Sequence, residues 1–116
     1  MTDGEARVRR MAAWALGEIE SAQAVPILAP LVRDPDRDVK LTALWALGEI
    51  EAGTGVAVVA PALKDADPDV RAMAAWALGQ IESSSALAAL EAVKDDSSPA
   101  VRRAVQWAIR QIDDRH

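Results

Sequence analysis

Tryptophan is the residue type whose spacing in this sequence could do chemistry, because it recurs at a constant interval. Trp14, Trp45, Trp76 and Trp107 are the only aromatic residues, and 31 positions separate each from the next. An indole offers a large apolar surface and a π-face that attracts cations. Four regularly spaced tryptophans could therefore bind an apolar or cationic group of another molecule.

Residues that make or break covalent bonds are scarce by comparison. The one histidine is His116, the last residue, and there is no cysteine. No pair of nucleophile and base, no glycine-rich phosphate loop and no Cys/His metal spacing can be assembled from the sequence. We therefore expect no catalytic residue, no metal site, no cofactor and no enzymatic activity.

Composition narrows the class of protein and of partner. The 116 residues carry a net charge of −5, which disfavours a nucleic acid or an anionic membrane surface as the partner. No apolar run approaches the roughly 18 residues of a membrane span, and no signal peptide is evident, so we expect a cytoplasmic protein. Alanine and leucine dominate the 51% hydrophobic content, which favours closely packed helices over a β-sandwich.

Each tryptophan lies within a segment that the chain repeats. VRRMAAWALGEIE at residues 8–20 returns as VKLTALWALGEIE at 39–51, VRAMAAWALGQIE at 70–82 and VRRAVQWAIRQID at 101–113. A period of this length is typical of stacked helical units that bury one another's apolar faces. In each copy, apolar residues at i, i+4, i+7, i+8 and i+11 form one helical face, here named the core stripe. The four core stripes are Val8, Ala12, Ala15, Leu16 and Ile19; Val39, Ala43, Ala46, Leu47 and Ile50; Val70, Ala74, Ala77, Leu78 and Ile81; and Val101, Val105, Ala108, Ile109 and Ile112.

Shorter apolar segments at residues 22–32, 56–63 and 86–93 alternate with the tryptophan segments and predict a second helix in each unit. Pro30 and Pro61 lie at matching places inside them and should bend or shorten the helix. At the start of the chain, Thr2 or Asp3 is expected to cap the first helix.

A glycine follows the core leucine in three copies, at Gly17, Gly48 and Gly79. Glycine within a helix costs about 1 kcal/mol relative to alanine, so the repetition predicts a close approach of the next helix. Arg110 and Gln106 replace small or apolar residues in the fourth copy, which predicts a polar cap there. The first helix shows no such change, and its outer face is expected to need a partner.

A longer pattern, D-x-x-x-x-V-R-x-x-A-A-x-A-L-G-x-I at residues 65–81, recurs with small departures at 34–50 and 96–112. It resembles the short HEAT-like repeats of the phycobilisome-lyase type, and it is similar to the artificial alpha-Rep scaffolds. The resemblance implies an all-α fold, a right-handed α-solenoid that forms one domain over residues 1–116. Residues 2–20 would be an inner helix without an outer mate, and residues 21–51, 52–82 and 83–113 would be three full repeats. The departures are Glu20, Glu51, Glu82 and Asp113, which stand where the family commonly has glycine.

The resemblance also bears on enzymatic activity. HEAT-like di-iron hydroxylases carry His-Glu pairs in the inner helix, HEAT-like DNA glycosylases use a basic concave face, and phycobilin lyases share the fold. Nothing in the three repeats identifies a chromophore site, and the tryptophan side of the helices is neutral to acidic. The positions that match the His-Glu pairs hold Arg10-Met11, Leu41-Thr42, Ala72-Met73 and Arg103-Ala104.

Helical geometry places the tryptophans away from the core stripe. At about 100° per residue, Trp45 lies roughly 145° from the centre of its core stripe. A second set of positions, at i, i+4, i+7 and i+11, contains each tryptophan, and in a stacked array these sets lie side by side. We name the predicted partner-binding surface the tryptophan face. Its residues are Met11, Trp14, Glu18, Leu41, Thr42, Trp45, Glu49, Met73, Trp76, Gln80 and Trp107.

Two interpretations of the tryptophan face stay open at this stage. Each indole fills the groove between adjacent helices, or part of each ring is exposed and the face binds a protein or peptide. Glu18 and Glu49 would favour a basic partner. In the resembled scaffolds, the matching position varies freely on the concave surface and contacts partners. The alternatives to a binding module are a self-associating, homodimeric unit and a fragment of a larger HEAT-repeat protein without activity of its own.

The repeated cations Arg9, Lys40, Arg71 and Arg102 receive a structural interpretation. They lie beside the core stripe and close to the connector aspartates, which are Asp34, Asp65 and Asp96. We predict a series of ion pairs and loop caps between units and assign these residues no function.

Overall fold

Every copy of the repeated segment forms a long helix, and the segments between them form a second, shorter layer. The computed structural model describes residues 4–114, and within that range no strand occurs. Its α-helices are α1 (Gly4–Ile19), α2 (Val25–Leu28), α3 (Arg37–Ile50), α4 (Gly55–Val59), α5 (Pro68–Ile81), α6 (Leu87–Ala92) and α7 (Pro99–Asp113). The long helices α1, α3, α5 and α7 are the inner helices, and each packs against the next. The predicted all-α fold built from stacked helical repeats is confirmed.

Polar side chains fix where the inner helices begin. Asp36 accepts hydrogen bonds from the backbone N–H groups of Asp38 and Val39 at the start of α3. Asp67 and Ser98 cap α5 and α7 in the same way. These bonds satisfy backbone donors that have no partner within the helix. The cap predicted at Thr2 or Asp3 lies outside the described residues.

The inner helices end in a left-handed backbone conformation at a glutamate. Glu20, Glu51 and Glu82 have φ values of 60°, 59° and 59°. Glycine is the usual residue in this conformation because it has no Cβ, which accounts for the glycine found there in the resembled family. Asp113 differs, since α7 continues through it and ends in the right-handed conformation at Asp114.

The outer layer is shortened where proline was expected to shorten it. After α2 and α4 the chain tightens into 3₁₀-helix over Ala29–Arg33 and Ala60–Lys64, with Pro30 and Pro61 near the start of each segment. The third unit has Ala92 at the matching position, and α6 stays α-helical up to that residue. Proline removes a backbone donor, and its ring conflicts with the preceding turn of an α-helix.

The core lies between the inner helices and the outer layer, and it includes the core stripes of α3, α5 and α7. Val39, Val70 and Val101 are fully buried there, as are their neighbours one turn on. The prediction for α1 is wrong, because the residues of its core stripe are exposed or, for Leu16, half-buried. In α3 this stripe is covered by α2 and the 3₁₀ segment that follows it. Within residues 4–114, no segment occupies the matching place beside α1.

Candidate protein-interaction site

The tryptophan face is positioned by a repeated contact between a glycine and the next tryptophan. A Cβ on Gly17 would lie 2.6 Å from Cζ3 of Trp45 and 2.9 Å from the backbone Cα of Ala46. Gly48 and Gly79 have the same relationship to Trp76 and Trp107, with Cζ3 at 2.5 Å in both cases. The predicted close approach is therefore confirmed. Both the edge of an indole and the backbone of the next helix come close to each glycine.

This contact determines how much of each ring is exposed. Trp45, Trp76 and Trp107 are half-buried, because one edge lies over the preceding glycine while the rest remains accessible. Trp14 is 52% exposed, since no glycine-bearing helix precedes it within the described residues. The indoles of Trp45, Trp76 and Trp107 fill the grooves between inner helices, and they also leave apolar surface open. That the tryptophan face binds a partner stays a prediction.

One depression on the tryptophan face lies between α3 and α5. It has a volume of about 470 Å³, and the predicted residues Leu41, Trp45, Met73 and Trp76 line it. Arg37, Asp69 and Ala72 complete the lining. A smaller depression between α1 and α3, of about 250 Å³, brings together Met11, Trp14 and Thr42 with Arg10.

Four predicted residues lie outside these two depressions. Glu18 is exposed, and Glu49, Gln80 and Trp107 are half-buried. Of the additional lining residues, Arg37 carries a usable signal in the sequence. It stands where the next two units have Pro68 and Pro99, so it breaks the repeat at a helix start.

Arg37 gives the α3–α5 depression a charged edge. Its guanidinium donates to the carboxylates of Asp67 and Asp69. The hydrogen bond from Arg37 is the main reason why the pKa of Asp67 lies below its usual value, and the N–H of Asp69 adds to it. An apolar floor with a paired arginine and carboxylates at its edge can hold a side chain that has an alkyl stem and a polar end.

The predicted ion pairs connect successive units along another side of the inner helices. Nε of Arg9 donates to Asp34 at 2.6 Å, Nζ of Lys40 to Asp65 at 2.9 Å, and Nε of Arg71 to Asp96 at 2.9 Å. Each aspartate also accepts a bond from the backbone N–H two residues further on, at 2.9 Å. The structural interpretation of these three cations is confirmed. Arg102 instead donates to the backbone carbonyl of Asp96 at 2.7 Å.

These contacts lower the pKa values of the connector aspartates. The hydrogen bond from Arg9 is the main cause for Asp34, and the bond from Arg71 is the main cause for Asp96. At Asp65 burial acts to raise the pKa, but the Asp67 N–H and Lys40 together outweigh it, so the net direction is again downward. All three carboxylates are therefore held in the charged form.

Two further observations concern other kinds of site. Among residues 4–114, no group of His, Cys, Asp or Glu side chains is arranged to hold a metal ion. No helix in the same range is long and apolar enough to cross a membrane.

Two layers of helices, with the same contacts repeated from one unit to the next, define an α-helical repeat protein. Residues 1–58 and 29–110 match the family model for HEAT repeats. The chain therefore belongs to the HEAT repeat family. No curated protein sequence matches it.

Two solved structures illustrate what the fold is similar to. Human deoxyhypusine hydroxylase in complex with glycerol superposes with a TM-score of 0.81 at 28% identity, over 89% of this chain and 36% of the hydroxylase chain. An engineered protein gives a TM-score of 0.73 at 27% identity, over 97% of this chain and 59% of its own. The chain thus spans about a third of one structure and less than two thirds of the other.

Proposed function

We propose that this chain is a non-catalytic protein-interaction module whose tryptophan face holds a protein or peptide. HEAT repeats generally mediate protein interaction or scaffolding. The observation that carries the proposal for this chain is the α3–α5 depression, in which two half-buried indoles, a leucine and a methionine line one open space.

The indoles of this depression suit binding because they are held in place before a partner arrives. Trp45 and Trp76 each have one ring edge against the glycine and helix backbone of the preceding unit. A partner that covers the remaining ring surface orders few additional side chains, so less conformational entropy opposes association. Tryptophan is also the residue type that most often dominates binding free energy at interfaces.

The proposed partner is a protein segment with basic side chains. Glu18 and Glu49 flank the tryptophans, and the whole chain carries a net charge of −5. Arginine in particular can stack its guanidinium on an indole while its alkyl stem packs on Leu41 or Met73. The net negative charge gives no support to a nucleic acid as the partner, nor does Arg37 at the edge of the depression, because it is paired with Asp67 and Asp69.

The proposal includes the inference that this chain has no enzymatic activity. One of the similar structures is a hydroxylase. In this chain the positions that match the His-Glu pairs of HEAT-like hydroxylases hold Arg10-Met11, Leu41-Thr42, Ala72-Met73 and Arg103-Ala104, of which none supplies a metal-binding nitrogen or carboxylate. A cytoplasmic location is proposed with it.

A homodimeric, self-associating unit is the second candidate. The observation in its favour is the exposure of Val8, Met11, Trp14 and Ile19, which places most of the large exposed apolar side chains of residues 4–114 on α1. Such a unit would cover α1 or the tryptophan face with a second copy. A fragment of a longer HEAT-repeat protein is compatible with the short share of the two similar structures that the chain spans.

Peptide selection followed by calorimetry tests the binding proposal. Peptides selected from a random display library against the 116-residue chain should be enriched in arginine and lysine. The double variant Leu41→Gln/Met73→Gln should weaken their binding by roughly ten-fold or more, as expected for interface anchors.

Val58→Gln is the matched control, because Val58 is a half-buried aliphatic residue in a separate depression of about 440 Å³ on the outer layer. It should leave binding unchanged. Peptides whose binding depends on Val58 and not on Leu41 and Met73 would contradict the proposal, as would a selection that yields no binder.

A further inference from the structure

The outward side of α1 carries a line of exposed apolar residues. Val8 and Ile19 are 68% and 67% exposed, and Ala12 and Ala15 between them are exposed as well. We name these four residues the end stripe. They follow at i, i+4, i+7 and i+11, so they form one line along the helix. They lie opposite the buried residues Ala6, Ala13 and Gly17, which face α3.

We propose that the end stripe pairs, in antiparallel orientation, with the end stripe of a second copy of this chain. This inference deepens the homodimeric candidate by naming its surface and geometry, and it does not depend on peptide binding to the α3–α5 depression. Two observations support a second copy of the chain as the partner: the distribution of charge on α1, and the residues of α7 at the other end of the molecule.

Charge on α1 favours an antiparallel partner of the same sequence. Arg7 and Glu18 are both exposed, and a separation of eleven residues places them on the same flank of the helix, about 16 Å apart. In an antiparallel two-fold pair, Arg7 lies beside the partner's Glu18, and the same contact occurs a second time by symmetry. A parallel two-fold pair would place the two Arg7 side chains on opposite flanks of the interface and far from Glu18 along the helix, so this favourable contact would be lost.

The sizes of the apolar residues match the same arrangement. Ala12 and Ala15 stand at the middle of the end stripe, while Val8 and Ile19 stand towards its ends. Antiparallel pairing brings the two alanine pairs together, which permits close approach of the helix backbones, and it sets each valine against the partner's isoleucine.

The opposite end of the molecule disfavours stacking of copies end to end. If a second copy continued the repeat from α7, Trp14 would need a glycine at the position of Arg110, as Trp45 needs Gly17. Arg110 and Gln106 are exposed on that side of α7, and their side chains would occupy the space of the incoming indole. A closed two-fold dimer through α1 therefore fits the chain better than an open filament.

The interface is small. A helix of 16 residues is about 24 Å long, so the buried area falls at the low end of specific interfaces and the affinity should be micromolar or weaker. Sedimentation velocity over a dilution series from millimolar to micromolar concentration should show a reversible equilibrium between monomer and dimer.

Charge reversal tests the orientation. Arg7→Glu and Glu18→Arg should each weaken dimerisation by roughly ten-fold, because each reversal acts at two symmetric contacts, and the double variant should recover most of the loss. Ala15→Glu should abolish the dimer. Ala88→Glu, the same change at an exposed alanine of α6 on the outer layer, should not. Circular dichroism checks that all variants are folded.

Disulfide trapping gives an independent measure of the orientation, because the unsubstituted chain has no cysteine. A mixture of the Val8→Cys and Ile19→Cys variants should oxidise to the mixed dimer, while each variant alone should cross-link poorly, since matching positions are too far apart in an antiparallel pair. A prominent Val8→Cys homodimer, an Ala15→Glu variant that still dimerises, or a monomer at every concentration would overturn the proposal. Peptide binding that depends on Leu41 and Met73 could persist in all three cases.

Discussion

Trp76 occupies the space that a side chain on Gly48 would need: a Cβ there would lie 2.5 Å from Cζ3 of the indole and 3.1 Å from the Cα of Ala77. The two residues belong to successive units of the repeat. The same relationship joins Gly17 to Trp45 and Gly79 to Trp107. A substitution at the glycine of one unit therefore alters the contact with the tryptophan of the next unit. Such substitutions test the packing between units directly.

Gly48→Ala should destabilise the protein although alanine is the better helix former. Its methyl group would overlap the ring of Trp76 and approach the backbone of α5, and the resulting overpacking should outweigh the gain in helix propensity, for a net loss of about 1–3 kcal/mol. Urea unfolding followed by circular dichroism measures the difference. Gly53→Ala is the matched control, since nothing lies within 4 Å of the added Cβ, and it should be neutral or slightly stabilising.

Trp14→Ala and Trp76→Ala should differ in their effect on stability. Trp14 is 52% exposed, and no glycine-bearing helix precedes α1 within residues 4–114, so its removal should cost less than about 1 kcal/mol. Trp76 is half-buried between α3 and α5, and its removal should cost about 3 kcal/mol because it leaves a cavity over Gly48. Equal losses in urea unfolding would show that the indoles do not differ in packing as their exposures indicate.

Glu51→Gly should stabilise the protein. Glu51 has φ of 59° and is exposed, so the substitution relieves the cost of a side chain in the left-handed region without removing a buried contact. We expect a gain of about 0.5–1 kcal/mol in the free energy of unfolding, after the extra freedom of glycine in the unfolded chain is subtracted. Glu49→Gly, two residues earlier in the last turn of α3, should instead destabilise the protein, by up to about 1 kcal/mol.

Stability should fall with acidification through the connector aspartates. The folded state holds the pKa of Asp96 below its usual value, chiefly through Arg71. An aspartate with a lowered pKa contributes stability that is fully present above the unfolded pKa, near 4, and is lost as the pH falls through the folded pKa. Asp34 and Asp65 shift in the same direction, so their losses add to this one.

Asp96→Asn isolates one of these contributions. It should reduce the free energy of unfolding at pH 7 by about 1–2 kcal/mol, and the difference from the unsubstituted chain should shrink as the pH falls below about 4. Asp95→Asn changes the exposed neighbouring residue and should have little effect. A difference in the free energy of unfolding between Asp96→Asn and the unsubstituted chain that stays constant from pH 7 to pH 3 would contradict the assigned cause.

Features that repeat in the sequence could be predicted, because each unit meets the same surroundings. The period of the tryptophans predicted the stacked helices, the repeated glycines predicted a close approach, and the spacing of Arg9 and Asp34 predicted an ion pair. The outcome for Pro30 and Pro61 followed from the chemistry of proline alone.

The predictions from the sequence were wrong or incomplete where a segment repeats but the structural elements packed around it do not. Val8 and Val39 have the same place in the pattern, yet Val8 is 68% exposed and Val39 is fully buried, because α3 has an outer segment beside it and α1, within residues 4–114, has none. Periodicity reports which residues share a face but not what covers that face. Arg37 was missed for a related reason, since its role in lining the α3–α5 depression comes from a neighbour in the next unit, Asp69.

Because α1 is packed on one side only, we expect it to unfold before the other inner helices. Its buried residues, Ala6, Ala13 and Gly17, all have small side chains, whereas α3 and α5 are buried on two sides. In an array held by nearest-neighbour contacts, the unit with the weakest contact detaches first. Amide hydrogens of α1 should therefore exchange with solvent deuterium well before those of α5, through partial unfolding that leaves the remaining units folded.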